Sequence, residues 1–392
     1  MKREYECIVL GLGGLGSAAL YWLARQKKDV LGLEQFEIGH LRGASQDHSR
    51  IIRLSYHTPQ YVELAKQAYA AWAGLEADAG ETLILKTGGL DISPPDAKIP
   101  ISDYTDSMTA AGVPFEVLDA AETMHRWPQF RLPDETVTIY QSESGIAPAA
   151  QCNAAHLRMA QVHGAVIRDN TPITAIRPRD GGIELETALS TAGGETLRCQ
   201  KLILTPGAWT NHALAHFGLH LPLEITQEQV TYYASPRPDD FAPERFPIWI
   251  WMDEPCFYGF PFFGEPGPKI AQDVGGKTTT AETRSFDHNL ETLARTEAFI
   301  REHIPSMIGP QIYTKTCLYT LTPDRDFVID TLPDHPNIAL AVGAGHAFKF
   351  ASLIGKILSE LVTEGQTEAD ISPFKFDRPI LQMKNPPRSY MI

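Results

Sequence analysis

Near the amino end, Gly11-Leu12-Gly13-Gly14-Leu15-Gly16 sets glycines at the first, third and sixth positions of one short stretch, and Glu34 follows further on. Residues of these types at this spacing can hold a dinucleotide. Gly11 permits a tight turn, Gly13 lets backbone N–H groups approach a pyrophosphate, and Gly16 lets a helix pack closely on a strand. A helix that starts at such a turn presents its partial positive charge to phosphates. A carboxylate at Glu34 can accept hydrogen bonds from the hydroxyls of a ribose without a 2′-phosphate. The glycine spacing alone is a weak signal, because a purely structural turn uses the same residues.

The surrounding elements strengthen it. Cys7-Ile8-Val9-Leu10 is a short apolar run, suited to a parallel strand buried on both faces. Leu15, Ala18, Ala19, Trp22 and Leu23 recur at helical spacing and predict one apolar stripe. Val30-Leu31-Gly32-Leu33 then reads as a second strand, ending at Glu34. Two further buried strands come late: Lys201 to Leu204, running into Thr205-Pro206-Gly207, and Ile338 to Val342, running into Gly343-Ala344-Gly345-His346. A helix from about Phe350 to Leu361 follows the second of these. Strands that rejoin a nucleotide-binding sheet after long excursions typify large FAD folds, whereas an NAD dehydrogenase more often builds its sheet in one stretch. The expected fold is therefore mixed α/β, with a Rossmann-type FAD-binding domain and an interleaved substrate domain built on a mainly antiparallel sheet. The expected division gives 1–84, 147–221 and 318–392 to the FAD-binding domain, and 85–146 and 222–317 to the substrate domain.

Composition narrows the classes. A chain of 392 residues exceeds one ordinary core, and no linker or repeat separates its parts. The net charge of -14 argues against a nucleic-acid partner, which needs a basic face. Apolar runs stop short of the roughly 20 residues needed to span a bilayer. Met1-Lys2-Arg3 leads straight into a strand rather than a signal peptide, so a cytoplasmic protein without a membrane role is expected. Cys7, Cys152, Cys199, Cys256 and Cys317 are widely spaced with no Cys-x-x-Cys pair, which argues for free thiols rather than a disulfide framework or a metal site.

With these blocks in view, the chain resembles the monomeric sarcosine oxidase and N-methyltryptophan oxidase family of FAD-dependent amine oxidases over nearly its whole length. The likeness rests on Gly11 to Gly16 with Glu34; Gly43-Ala44-Ser45-Gln46-Asp47-His48-Ser49-Arg50-Ile51-Ile52-Arg53; Tyr258-Gly259-Phe260-Pro261 through Lys269; and Cys317-Leu318-Tyr319-Thr320-Leu321-Thr322-Pro323-Asp324 with Gly345-His346-Ala347-Phe348-Lys349 beyond it. It implies that Cys317 is joined to the flavin by a thioether, that Arg50 lies beside the flavin, and that Arg53 binds the substrate carboxylate, a task suited to a planar guanidinium. It implies that Lys349 is the second cation for that carboxylate. Lys349 stands where a helix begins, a place that disfavours a cation, and this misfit itself suggests function. It also implies that Lys269, on the flavin face opposite the substrate, promotes reaction with oxygen through its positive charge. Ser49, Gly345 and His346 are further candidate cofactor contacts. His48 supports the flavin or satisfies a backbone carbonyl, and Tyr258 and Tyr319 line the substrate cavity or pack as ordinary aromatics.

The chain departs from the family at Asp273, where its small-substrate members carry a histidine four positions after the lysine. A carboxylate there changes charge and hydrogen bonding near the amine, which argues against sarcosine itself. Phe246-Pro247-Ile248-Trp249-Ile250-Trp251-Met252 reads as a strand with Trp249 and Trp251 on one side, facing either the cavity or the core. The expected activity is oxidation by O2 of a small secondary amine that bears a carboxylate, giving an imine that hydrolyses and hydrogen peroxide, in a monomer. A flavin dehydrogenase with another acceptor, and a flavin-binding protein without catalysis, are the competing readings.

Overall fold

The computed structural model describes residues 2–188 and 194–389. Its first sheet grows from the strand Glu4–Leu10, which pairs in parallel with Val30–Leu33 on one side and Thr196–Leu204 on the other. Val166–Arg168 extends one edge in parallel, and His335–Val342 adds in parallel beyond Thr196–Leu204. Antiparallel pieces finish the sheet. Val328–Leu332 runs back along His335–Val342, and the hairpin of Ile173–Arg179 and Gly182–Thr187 joins the first half of Thr196–Leu204. The short apolar runs thus lie at the centre, where both faces are covered.

The helix Gly14–Arg25 packs between the helices Ala149–Val162 and Ala351–Glu364. For this reason its burial is wider than one stripe: Leu20, Tyr21 and Ala24 are buried along with Ala18, Ala19 and Leu23, while Leu15 and Trp22 are only half-buried. The approach is close enough that a Cβ on Gly355 would stand 2.5 Å from the backbone of Ala18.

A second sheet holds nine strands among the described residues. Gly89–Ser93 pairs in parallel with Ile248–Trp251 and antiparallel with Val137–Gln141. Phe257–Phe260, Lys269–Gln272, Glu224–Tyr233 and Gln311–Leu321 follow antiparallel from there. Within Ile248–Trp251 the two tryptophans face the core, against Phe299 of the helix Leu290–His303, at ring distances of 5.7 and 5.2 Å. Gly259 leaves the space for Trp249, since a Cβ there would meet the indole at 2.5 Å. The two tryptophans therefore fill the core and carry no information about substrate, while Ile250 and Met252 of the same run border a cavity. A small third sheet joins Arg50–Ile52, Gly145–Ala147 and Leu85–Lys86.

The five cysteines are free thiols. Among the described residues, no helix is long and apolar enough to cross a membrane and no cluster of three ligands could hold a metal ion.

Candidate active site

A single cavity of about 380 Å³ runs from the glycine turn after the first strand to the turn after His335–Val342. At the first end Gly11 has φ +89°, and a Cβ on it would stand 2.6 Å from the carbonyl of Thr205. A Cβ on Gly16 would fall 1.7 Å from the carbonyl oxygen of Gly11, so helix and strand meet backbone to backbone. Gly13 borders the cavity and is nearly open, with only the Ser45 hydroxyl at 3.1 Å. The Gly14 amide donates to Ser45 Oγ at 2.8 Å. Glu34 accepts from the amides of Leu12 and Phe36 at 2.9 and 3.2 Å. Burial opposes its charge, yet His40 and these amides hold its carboxyl below the usual range, so an ionised acceptor faces the cavity.

At the far end Gly345, His346 and Lys349 line the cavity together with Arg53, Tyr258, Tyr319 and Asp273. His346 donates from Nε2 to the carbonyl of Arg325 at 2.8 Å, and burial holds the ring neutral, leaving Nδ1 as a buried acceptor without a partner among the described residues. Lys349 sits in the 3-10 turn Ala347–Phe350 before the helix Ala351–Glu364. Among the described residues its ammonium has no hydrogen bond or ion pair and lies 5.7 Å from the ring of Tyr56. Burial and the neighbouring Arg53 pull its pKa down to about 7. Arg53 is buried beside it, donating from Nη1 to Asp91 at 3.0 Å, while its Nε has no partner among the described residues. An unpartnered ammonium and an unpartnered guanidinium N–H at one end of a cavity suit an anion. Asp273 accepts from Arg325 Nη2 at 3.4 Å, and Arg325 also donates from Nε to the carbonyl of Ala344 at 3.2 Å. Burial keeps the hydroxyls of Tyr258 and Tyr319 protonated.

Arg50 borders the same cavity and is held by carbonyls of its own loop, donating to Ala44, Gln46 and Ser49 at 2.7 to 2.8 Å. Five candidate residues stand outside the cavity lining: Gly16, which packs helix on strand, and Lys269, Cys317, His48 and Ser49. Lys269 is fully buried, and its ammonium donates to Asp47 Oδ2 at 3.0 Å and to the carbonyl of Ser49 at 2.8 Å. His48 turns to Glu265, with Nε2 2.9 Å from the carboxylate, and among the described residues its ring makes no backbone bond. The buried hydroxyl of Ser49 has no partner among the described residues. Cys317 lies on the same face of Gln311–Leu321 as Tyr319. Burial pushes its thiol up to about 11 against the pull of Arg50. Asp47, Asp91 and Arg325, which partner the cations and Asp273, were not singled out from sequence. Asp47 lies inside one motif block and Arg325 directly follows another, whereas Asp91 belongs to none, and their partners are remote.

The cavity suits FAD: an acidic acceptor, an open glycine and helix N–H groups at one end lead without a break to a second glycine turn with a free acceptor at His346. The family described as DAO, FAD dependent oxidoreductase, matches residues 6–361. The chain belongs to this family. As an FAD-dependent oxidoreductase it is 34% identical over 386 residues to a monomeric sarcosine oxidase of Streptomyces avermitilis, covering 95% of this chain and 97% of that one. It is 28% identical to an N-methyl-L-tryptophan oxidase of Escherichia coli, with 96% and 99% covered. Its fold matches that of NikD, an unusual amino acid oxidase essential for nikkomycin biosynthesis, at a TM-score of 0.83 and 24% identity over 100% of this chain and 99% of that chain.

Proposed function

We propose that this oxidoreductase oxidises a small secondary amine bearing a carboxylate, such as an N-methyl amino acid, with O2 as the acceptor. One observation carries the reading: Arg53 and Lys349 both line the cavity beside the second glycine turn, and the Lys349 ammonium and the Arg53 Nε are both without partners among the described residues. The relatives named for sarcosine and N-methyl-L-tryptophan support an amine with a carboxylate one carbon away.

Bound FAD supplies the acceptor for two electrons and a hydrogen from the substrate carbon. Gly11, Gly13, Glu34 and Ser45 would hold its nucleotide end, and Arg50, Gly345 and His346 its ring end. Arg53 and Lys349 grip the substrate carboxylate and so fix which C–H bond is presented. Asp273, held by Arg325, offers an acceptor to the amine N–H. Tyr258 and Tyr319 wall the space between. The imine product hydrolyses in water, and O2 becomes hydrogen peroxide with help from the Lys269 charge. In this reading 1–84, 147–221 and 318–392 carry the cofactor, 85–146 and 222–317 form the substrate side, and Cys317 bonds to the flavin. A cytoplasmic monomer with no nucleic-acid or membrane partner completes the proposal, supported by the acidic surface and by relatives called monomeric.

One observation favours a second reading, a dehydrogenase with another electron acceptor: Lys269 is paired with an anion and stands outside the cavity lining. Anaerobic titration with N-methyl and cyclic amino acids, followed by measurement of oxygen uptake and peroxide, decides. Bleaching of the flavin with stoichiometric peroxide is the expected result. Bleaching without oxygen uptake overturns the oxidase, and no bleaching by any substrate overturns amine oxidation.

A further inference from the structure

Asp47 has φ +81°, in the left-handed region that costs a residue with a Cβ about 1 kcal/mol or more. Its carboxylate is buried and used in full. The hydroxyl of Tyr232 donates to both oxygens at 3.0 and 3.1 Å, Lys269 donates to Oδ2 at 3.0 Å, and Arg50 stands 3.8 Å away. Burial would push this carboxyl up, but the two cations hold it well below the usual range, so it is an anion. Strand pairing sets Tyr232 opposite Lys269 and so delivers both donors to one point.

Seen from Lys269, the surroundings are one-sided. The segment before Arg50–Ile52 supplies Asp47, the Ser49 carbonyl and the repelling Arg50. Glu224–Tyr233 supplies Tyr232, Phe257–Phe260 supplies the ring of Phe260 at 4.2 Å, and Gln311–Leu321 supplies Cys317. Asp47 is the anion in direct contact with the ammonium. A buried amine without an anion gives up its proton, because burial disfavours the charged form.

We propose that Asp47 is a positioning residue for the oxygen reaction: it fixes the Lys269 ammonium and keeps it charged, so that the rate of reaction with O2 depends on this carboxylate. O2 takes two electrons from the reduced cofactor together with two protons and leaves as hydrogen peroxide, and the ammonium favours the negative charge that passes to oxygen on the way. The inference rests on the part given to Lys269 under the proposed function. Burial brings Lys269 down to about 8 even with Asp47 opposing it, so loss of the carboxylate moves the titration lower still.

The test uses the holoenzyme, reduced with dithionite and mixed with oxygenated buffer across the pH range. Wild type holds a constant rate up to pH about 8 and slows above it. Asp47→Asn slows from about one pH unit lower, so it is about twofold slower than wild type at pH about 7 and approaches about tenfold slower by pH about 9, as one unit of pKa requires. Anaerobic reduction by substrate stays within about twofold in that variant, since Asp47 does not line the cavity. Absorbance of the oxidised flavin, read against pH without turnover, shows an inflection near 8 in wild type that moves lower in Asp47→Asn and is lost in Lys269→Met. Asp47→Gly removes both the carboxylate and the left-handed strain, and serves if the asparagine variant fails to fold. An Asp47 variant that follows the wild-type pH profile in both readouts overturns the inference. A Lys269→Met variant that keeps wild-type oxygen rates overturns the reading of Lys269 instead.

Discussion

Gly13 and Gly16 belong to one turn, yet the structure assigns them different work, and alanine at each position separates the two. A Cβ on Gly16 would lie 1.7 Å from the Gly11 carbonyl oxygen and 2.5 Å from Thr205 Oγ1. The first contact is backbone, so the helix Gly14–Arg25 must retreat from its strand by more than an ångström. The bond from Thr205 Oγ1 to the Gly11 carbonyl at 2.8 Å would be lost with it. Overpacking of this kind costs about 1–3 kcal/mol, and the lost bond adds about 1 kcal/mol. Gly16→Ala is therefore expected to lower the melting temperature of the apoprotein by roughly 2–5 °C. Gly13 has φ −68°, which alanine adopts freely, and its only close neighbour is the rotatable hydroxyl of Ser45 at 3.1 Å. Gly13→Ala should leave apoprotein stability within about 1 kcal/mol of wild type. Its methyl group projects into the space kept for the pyrophosphate, and FAD should bind about ten- to hundredfold more weakly, a loss of roughly 1.4–2.8 kcal/mol. Calorimetry of the apoproteins gives the first quantity and FAD titration gives the second, both in a Cys317→Ser background so that binding stays reversible. Gly13→Ala with wild-type FAD affinity, or with the same thermal loss as Gly16→Ala, refutes the assignment.

Three further outcomes are expected. Affinity for acetate, read from flavin absorbance, should be constant below pH about 7 and weaken above it, because the protonated form of Lys349 binds the anion and is lost as pH rises through its pKa; Lys349→Met should abolish this dependence. Acid precipitation of wild type should leave the yellow colour in the pellet, and Cys317→Ala should release it to the supernatant. Trp249→Ala should cost about 3–5 kcal/mol in stability, measured by denaturant unfolding, without changing the order of preference among substrates, because the indole packs on Phe299 in the core.

The nucleotide end was legible because its signals are local. Turn, helix and acid lie within one short stretch, and each residue type has one physical reason to be there. Even so, the helix Gly14–Arg25 is buried more widely than its stripe foretold, since the helix that covers its outer face comes from the far end of the chain. Trp249 and Trp251 could not be oriented for a related reason. Every residue of Ile248–Trp251 is buried, so hydrophobicity does not alternate and cannot say which face meets the cavity.

The charges at the far end show the same limit more sharply. Arg53, Lys269 and Lys349 stood out as cations in motif positions, but what each can do depends on its anion, and the anions come from elsewhere. Asp47 and Lys269 are separated by 222 residues, and Arg53, just past the strand Arg50–Ile52, reaches Asp91 on a strand of a different sheet. Motif order carries no record of such pairs. The left-handed turn at Asp47 also redirects the chain, so that His48 leaves toward Glu265 while Arg50 returns to the cavity. Of the three cations, Lys349 alone has no ion pair among the described residues. That difference was invisible in sequence, and it makes Lys349 the cation whose charge remains available to an incoming carboxylate.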